Sequence, residues 1–295
     1  MALLIGLLRL LALLPLRGYH ALGASLGWVV YLTSRRYGSR LRENLRRSGV
    51  CCDEAEYRRI LRANVAAVGR GALEIIPVWF RRSERAARLV RTCTGAEVVL
   101  DAYRQGRGII LLTPHLGCFE ISAIYAAQFV PITVLYRQPH IRWLDRLIVE
   151  GRGKGQEKLA PADVRGVLRL LKALKSGEAI GVLPDQAPGA GEGVWVDFFG
   201  RPAYTMTLIG RLCEAAHPAV FVATARRLPR GRGFEIEVCP IEGDLAGEAG
   251  ARRMNAAIEQ AVRSCPEQYL WSYNRYKHPA GAPLPPAERS QPAAP

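Results

Sequence analysis

The sequence has few of the residues that build metal centres or disulfide frameworks. Its 295 residues include seven cysteines and five histidines. An odd number of scattered cysteines does not fit a paired disulfide scaffold, and the adjacent Cys51 and Cys52 cannot supply the two-residue gap of a zinc knuckle. The sequence therefore predicts free thiols, a reducing compartment and no metal site.

The sequence also lacks a single apolar run of the about 18 residues that a clean membrane span needs. Residues 1–16 are apolar except for Arg9, and residues 18–33 form a second uncharged run after Arg17. The basic residues that precede the apolar part of a signal peptide are missing. The strongest positive cluster follows instead, at Arg35, Arg36, Arg40, Arg42, Arg46 and Arg47.

We therefore expect residues 1–35 to be an uncleaved N-terminal membrane anchor. It would be either one imperfect span or an amphipathic hairpin in the interface, with the arginine cluster on the anionic, cytoplasmic side. The alternatives are a cleaved signal peptide and a leucine-rich helix that only covers a core.

Acidic residues are scarce relative to basic ones. The chain has 26 Asp and Glu against 41 Lys and Arg, which gives a formal net charge of +15. Such a surplus predicts an acidic partner, namely nucleic acid, an anionic membrane or an acidic carrier protein. Nucleic acid fits least well, because the arginines cluster behind an apolar segment and no recognition motif interleaves them.

The remaining pattern alternates helical and strand-like segments, which is typical of an α/β layer architecture. No internal repeat is evident. Apolar runs and helical periodicity predict strands at 109–112, 132–136, 179–183, 219–225 and 234–239, and helices at 120–129, 141–150, 164–175, 206–216 and 251–264. The segment 280–295 is rich in proline and alanine, so we expect it to be disordered.

His115 and Glu120 are the most informative pair in the chain, because they lie where a buried strand ends. On one continuous helix the two side chains would diverge by about 140°. They can cooperate only if His115 lies in the turn and Glu120 in the first turn of the next helix, where the helix dipole favours a carboxylate. The pattern then indicates a general base and its orienter, whereas the alternative is an ordinary hydrogen-bonded histidine.

Other polar and aromatic residues fall at the ends of predicted elements, where α/β sheets place their ligand sites. Each has a simpler interpretation: the arginines as solvated surface charges, the aspartate as a turn cap and the phenylalanines as core. The candidates are Arg137, Arg152, Asp185, Gln186, Phe198, Phe199 and Arg201.

These motifs together resemble the late-acting lipid A biosynthesis acyltransferases of the lauroyl and myristoyl transferase type, which are similar to glycerolipid acyltransferases. The resemblance covers roughly residues 1–279. Segment 115–120 matches the family's His-x4-Asp/Glu motif, although Cys118 stands where many relatives carry Asn. The other matching segments are 136–139, 151–153, 174–178, 183–188, 198–203, 266–271 and 275–277, while Ser272-Tyr273-Asn274 departs from the usual His-containing stretch.

The resemblance implies a central mixed sheet flanked by helices, with the acyltransferase domain at 36–279. It also implies that a fatty acyl group moves from acyl carrier protein, or a similar thioester, to a hydroxyl of a lipid A precursor. The thioester is a co-substrate, so no cofactor is expected. The expected location is the cytoplasmic face of the inner membrane.

The resemblance further implies roles for the candidate residues. His115 would take the hydroxyl proton, Glu120 would stabilise the imidazolium, and no covalent intermediate would form. Arg152 would stabilise an oxyanion or grip a phosphate, with Asp185 positioning it. The expected substrate-binding residues are Arg137, Gln186, Phe198, Phe199 and Arg201, with the two phenylalanines walling an acyl groove.

Three alternatives stay open on the sequence. The acceptor could be another glycolipid or a peptidolipid. Water could be the acceptor, which would make the protein a thioesterase or lipid hydrolase. The chain could also bind lipid, or an acidic carrier, without catalysis.

Overall fold

The computed structural model describes residues 2–139, 141–153 and 155–285. Its α-helices are α1 Ala2–Leu11, α2 Leu16–Thr33, α3 Arg35–Arg47, α4 Glu54–Phe80, α5 Ser83–Ala87, α6 Ala96–Arg104, α7 Phe119–Ala126, α8 Arg142–Arg152, α9 Val164–Lys175, α10 Leu208–Ala216 and α11 Gly247–Ser264. Its strands are β1 Val90–Thr94, β2 Ile109–Leu112, β3 Ile132–Tyr136, β4 Glu157–Pro161, β5 Ala179–Val182, β6 Gly193–Phe198, β7 Arg201–Met206, β8 Ala219–Arg227 and β9 Phe234–Pro240.

Seven strands form one sheet in the order β1-β9-β8-β2-β5-β3-β4. Neighbouring strands are parallel except β8 and β9, which are antiparallel. The sheet is therefore mixed, as predicted. Strands β6 and β7 form a separate antiparallel hairpin.

The two central strands are apolar throughout because both of their faces are covered. Every residue of Ile109–Leu112 and of Ala179–Val182 is buried. Side chains that alternate along β2 belong to two different cores, with Ile110 and Leu112 in one and Ile109 and Leu111 in the other. This is the pattern of a parallel strand with helices on both faces.

The structure contains all of the predicted strands and helices, with shifts at their ends. The largest concerns α11, which begins at Gly247 rather than at the predicted residue 251. Helix α10 begins at Leu208 rather than at the predicted residue 206 because Met206 pairs with β6 as the end of strand β7. The sequence did not predict β1, β4 or the β6–β7 hairpin. Strand β4 is missed because its residues, Glu-Lys-Leu-Ala-Pro, are neither an apolar run nor a regular alternation.

The N-terminal segment folds as two helices bent by 105° rather than as one rod. Within the part of the chain that the structure describes, no single helix is long and apolar enough to cross a membrane, and only the bent pair of α1 and α2 passes by length and composition. Helix α2 packs closely on α4 because Gly23, Gly27 and Gly69 meet without side chains. The membrane anchor predicted at 1–35 is not confirmed.

The predicted disordered tail is only partly within the described residues. Positions 286–295 lie outside them. Before that point the chain makes ordered contacts, since the Trp195 indole Nε1 donates to the Pro283 carbonyl at 2.8 Å and Ala282 is buried. The domain limits at 36 and 279 stay a prediction.

Candidate active site

The register of two adjacent strands brings His115 and Asp185 together. Strands β2 and β5 are parallel neighbours with Leu112 opposite Val182. His115 lies three residues after Leu112, and Asp185 lies three residues after Val182. The two segments therefore leave the same edge of the sheet side by side. The Asp185 carboxylate accepts a hydrogen bond from the backbone N of His115 at 2.9 Å and lies 2.8 Å from the ring Nδ1.

The Asp185 carboxylate determines which ring nitrogen of His115 acts as the donor in this pair. Burial raises the pKa of the Asp185 carboxyl, but the charge and hydrogen bonds of His115 more than offset it, so the pKa lies below its ordinary value. An ionised carboxylate only accepts hydrogen bonds. The Nδ1 of His115 therefore carries a proton, and in the neutral form of the ring the lone pair that a general base needs is on Nε2.

Gln186 completes the row of polar groups. Its side-chain amide Nε2 lies 3.1 Å from Nε2 of His115. With Nδ1 protonated, the amide donates to the Nε2 lone pair, so a substrate hydroxyl would have to take the place of Gln186. The His115 side chain is 14% exposed and that of Asp185 only 2%, so the imidazole reaches the surface while its partner does not.

Glu120 forms a second polar pair, with Arg152. The Arg152 Nε donates to Glu120 Oε2 at 2.8 Å, and a second nitrogen of the same guanidinium donates to Oε1. The indole Nε1 of Trp79 also donates to Oε2, at 2.9 Å. Burial lowers the pKa of Arg152, but the Glu120 carboxylate raises it by more. The net pKa is therefore above its ordinary value, and the guanidinium stays positively charged.

Two predicted partnerships are therefore wrong. Glu120 was expected to orient His115, and Asp185 to position Arg152, whereas the structure pairs Asp185 with His115 and Glu120 with Arg152. The reason is the sheet order, which sets β5 directly beside β2. The first turn of α7, as predicted, does hold Glu120, but the carboxylate is turned toward α8 and α4.

The turn between His115 and Glu120 is held from both sides. The backbone N of Gly117 donates to the Gln268 carbonyl at 3.1 Å, and that of Cys118 donates to the Ala225 carbonyl at 2.8 Å. Gly117 has φ = +62°, and a Cβ there would overlap the Ala225 carbonyl. Glycine is required at this position by both its backbone angle and the close approach.

A buried ion pair lies behind the same turn, and no pattern in the sequence predicts it. The Arg227 guanidinium binds the Glu74 carboxylate through two nitrogens, one of them 2.7 Å from Oε2. His20 of α2 lies 3.1 Å from that oxygen. Burial raises the pKa of Glu74, but Arg227 and His20 more than offset it, so the net pKa is lowered. Gln268, which binds Gly117, also accepts from the Arg227 backbone N at 2.8 Å.

Tyr269 and Arg275, from the late motif segments, lie beneath Asp185. Burial raises the pKa of the Tyr269 phenol well above its ordinary value, and the adjacent Asp185 carboxylate adds to the effect. The buried Arg275 guanidinium donates to the Tyr204 carbonyl and to the Thr205 hydroxyl, both at 2.7 Å. These residues join the β6–β7 hairpin to the floor of the site.

The other predicted substrate contacts lie elsewhere. Phe198 and Phe199 are 1% and 3% exposed and pack in the core against Tyr269 and Trp271, so the structure contradicts their placement on a groove wall and supports the simpler core interpretation. Arg201 is also largely buried, with its guanidinium 3.7 Å from the ring centroid of Tyr276.

Arg137 and Gln186 remain close enough to the surface to meet a ligand. Arg137 follows β3 and is exposed, while Gln186 is half-buried beside the imidazole. Their substrate-binding roles stay predictions.

A narrow apolar cavity of about 20 Å³ lies beside the Glu120–Arg152 pair, with Leu111, Val134 and Gly181 on its walls. A volume of this size holds about one water molecule. Among the described residues no group of three His, Cys, Asp or Glu side chains could hold a metal ion.

The fold and the two polar pairs define an α/β protein with a histidine–aspartate couple at the carboxyl edge of its sheet. The sequence profile of the family described as "Bacterial lipid A biosynthesis acyltransferase" matches residues 1–278. The chain belongs to this family, and it is an acyltransferase.

Named relatives agree with this assignment. The chain is 29% identical to "Lipid A biosynthesis lauroyltransferase" of Escherichia coli (strain K12), over 95% of this chain and 92% of the relative. It is 27% identical to a "Lipid A biosynthesis acyltransferase" of Haemophilus influenzae, over 90% and 83% of the two chains. It is also 27% identical to "Lipid A biosynthesis palmitoleoyltransferase" of Escherichia coli (strain K12), over 92% and 89%.

Proposed function

We propose that this protein moves a fatty acyl group from a thioester, carried by acyl carrier protein, to a hydroxyl of a lipid A precursor. The observation that carries the mechanism is the row Asp185, His115, Gln186, in which a buried carboxylate holds Nδ1 while Nε2 faces only the side-chain amide of Gln186. The substrate class follows from the names of the relatives.

The chemistry needs one base and no covalent intermediate. The acceptor hydroxyl replaces the Gln186 amide at Nε2 of His115 and gives up its proton as its oxygen attacks the thioester carbonyl. The tetrahedral intermediate collapses, the carbon–sulfur bond breaks, and the imidazolium returns the proton to the departing thiolate. Asp185 stabilises that imidazolium, and general-base help of this kind contributes about 10² to 10⁴ in rate.

Arg152 is the candidate for stabilising negative charge on the carbonyl oxygen. The Glu120 carboxylate binds its guanidinium, and the Trp79 indole in turn donates to Glu120, so the position of the guanidinium is fixed. In this scheme Glu120 is a positioning residue, acting through Arg152 rather than through the imidazole. A fixed cation of this kind is effective because it needs no reorganisation when the oxyanion forms.

The surface charge supports the choice of donor and of location. A net charge of +15 attracts an acidic carrier protein and an anionic membrane. Helices α1 and α2 also expose a row of large apolar side chains, among them Leu3, Leu7, Leu10, Leu22 and Leu32. Together these features support attachment of the N-terminal helices to the cytoplasmic face of the inner membrane.

The test is transfer with purified full-length protein in detergent, using acyl carrier protein thioester as donor and a lipid A precursor as acceptor. The product is followed by mass spectrometry. We expect His115→Ala to lower transfer by orders of magnitude, and His217→Ala, which changes a histidine at the end of α10, to leave it near normal. Near-normal turnover by His115→Ala would contradict the assigned base.

Two further arms separate the alternatives. Replacing the donor with the same acyl group on coenzyme A measures how far the carrier protein contributes, and a preference for the coenzyme A thioester would contradict the proposed donor. Omitting the acceptor tests hydrolysis. Release of free fatty acid at the same rate without acceptor would make the protein a thioesterase rather than a transferase.

A further inference from the structure

A groove on the side of the molecule that carries α2 is lined by a cluster of arginines. Its volume is about 800 Å³, and it lies between the start of α2, the middle of α4 and the loop that joins β8 to β9. The arginines that line it are Arg17, Arg70, Arg226, Arg227, Arg230 and Arg232.

Carboxylates balance only part of this charge. Arg226 pairs with Glu235, and Arg227 pairs with the buried Glu74 behind the groove. The only other acidic residue on the wall, among the described residues, is Glu267. The wall of the groove therefore keeps a net positive charge.

The remaining four arginines form no ion pair with a carboxylate within residues 2–139, 141–153 and 155–285. The Nε of Arg17 donates to the backbone carbonyl of Arg230 at 2.9 Å. This hydrogen bond holds the Arg17 side chain against the β8–β9 loop but neutralises neither positive charge. Arg70 is half-buried in the wall, and burial and the nearby Arg227 lower its pKa by more than the Glu74 carboxylate raises it. A partly desolvated cation beside other cations is costly, and a bound anion would relieve that cost.

The groove opens at a corner of the molecule that exposes apolar side chains. Leu13 and Leu14, in the bend between α1 and α2, are 59% and 52% exposed. The β8–β9 loop touches the same corner, because a Cβ on Gly231 would overlap the backbone of Arg17. Leucines that can enter the acyl region next to guanidinium groups at the level of the phosphates are the arrangement expected at a membrane interface.

We propose that this arginine groove binds the phosphate of a membrane lipid. Guanidinium groups suit this ligand because their paired N–H donors match phosphate oxygens. The phosphate could belong to bulk anionic phospholipid or to a phosphorylated glycolipid acceptor. The chemistry of the contact is the same, and experiment distinguishes the two sources.

The residue Gln268 connects the groove to the turn that follows His115. Gln268 lines the groove, and its carbonyl accepts from the backbone N of Gly117, in the turn that follows His115. A lipid held in the groove would therefore lie behind the turn that carries the base.

The first test measures binding of full-length protein to vesicles of phosphatidylcholine with and without phosphatidylglycerol. The variant carries Arg17→Gln, Arg230→Gln and Arg232→Gln. The matched control removes the same net charge at three exposed positions elsewhere, through Arg165→Gln, Arg169→Gln and Arg211→Gln. Because each surface arginine contributes about 1 kcal/mol to binding of an anionic membrane, we expect the groove variant to lose about 100-fold in partition to the anionic vesicles, and the control to lose far less.

The second test measures KM and kcat for a phosphorylated glycolipid acceptor in neutral-detergent micelles. If the groove binds the acceptor's phosphate, the groove variant raises KM and leaves kcat near normal. If it binds bulk phospholipid, KM is unchanged and only the vesicle binding falls. Since vesicle binding needs no turnover, this proposal and the proposed acyl transfer can fail separately.

Equal losses of vesicle binding in the groove variant and the control, together with equal changes of KM, would overturn the proposed site.

Thermal melting of each variant, followed by circular dichroism, checks that it is folded. If the triple variant unfolds, Arg70→Gln and Arg232→Gln singly decide the matter, because neither side chain makes an ion pair with the residues that the structure describes. Vesicle binding unchanged in both single variants would then count against the proposal.

Discussion

Asp185 holds His115 at two points, by a hydrogen bond to its backbone nitrogen at 2.9 Å and by a contact with the ring Nδ1 at 2.8 Å. The carboxylate therefore sets both the position of the main chain and the tautomer of the ring. This is the carboxylate–imidazole couple found in hydrolases and transferases that use histidine as a base.

Asp185→Asn is expected to lower kcat by about 10³ to 10⁴, because an amide can donate to Nδ1 and so place the proton on Nε2. The measurement is steady-state transfer across pH with the purified protein. Asp101→Asn, which alters an exposed carboxylate on α6, is the control. A kcat within a few-fold of the unchanged protein would show that Asp185 does not set the tautomer.

Glu120→Gln and Arg152→Lys are each expected to lower kcat by about 10²-fold or more, since removing one oxyanion donor typically costs that much. If Glu120 acts through Arg152, the double variant loses little more than either single one. Glu150→Gln is the matched control, because Glu150 lies on the same helix as Arg152 and forms an exposed pair with Arg9. Additive losses in the double variant would count against a shared role.

Cys118→Ala is expected to keep near-normal transfer. The thiol is buried, and burial together with the nearby Glu74 raises its pKa well above the ordinary value, so it stays protonated. A protonated thiol is a poor nucleophile. Loss of activity with an intact circular dichroism spectrum would bring back a covalent acyl–enzyme step.

Glu74→Gln is expected to lower the free energy of unfolding by about 3–5 kcal/mol, because it leaves the Arg227 guanidinium buried without its counter-charge. Urea unfolding measures the loss. The control is Glu235→Gln, which breaks the exposed pair with Arg226 and is expected to cost about 1 kcal/mol or less. Equal costs for the two variants would mean that burial of the pair has no energetic consequence.

The stability that Asp185 contributes is expected to depend on pH in one direction only. Its pKa in the folded protein is lowered from the ordinary 3.8, so the folded state binds the proton less readily than the unfolded state does. The contribution is therefore fully present above the unfolded pKa and is lost as the pH falls through the folded one. The stability difference between the unchanged protein and Asp185→Asn should shrink below about pH 4. A difference that grew on acidification would contradict the lowered pKa.

Particular elements show how much of the fold the sequence predicts. The apolar run at 109–112 and the amphipathic pattern at 164–175 were enough to locate β2 and α9, because burial on two faces and on one face leave different periodicities. The β6–β7 hairpin was missed, since its six-residue strands carry tryptophan, aspartate, arginine and proline in no regular alternation.

The sequence alone determined the order of motifs, and with it the family, the positions of His115, Glu120, Arg152 and Asp185, and the placement of Glu120 in the first turn of a helix. Only the tertiary structure decided which of these touch. Asp185 is 70 residues from His115 along the chain, and Arg227 is 153 from Glu74. Such contacts follow from strand order and helix packing, which are set by the whole core, whereas a sequence pattern reports only the secondary structure and burial of its own segment.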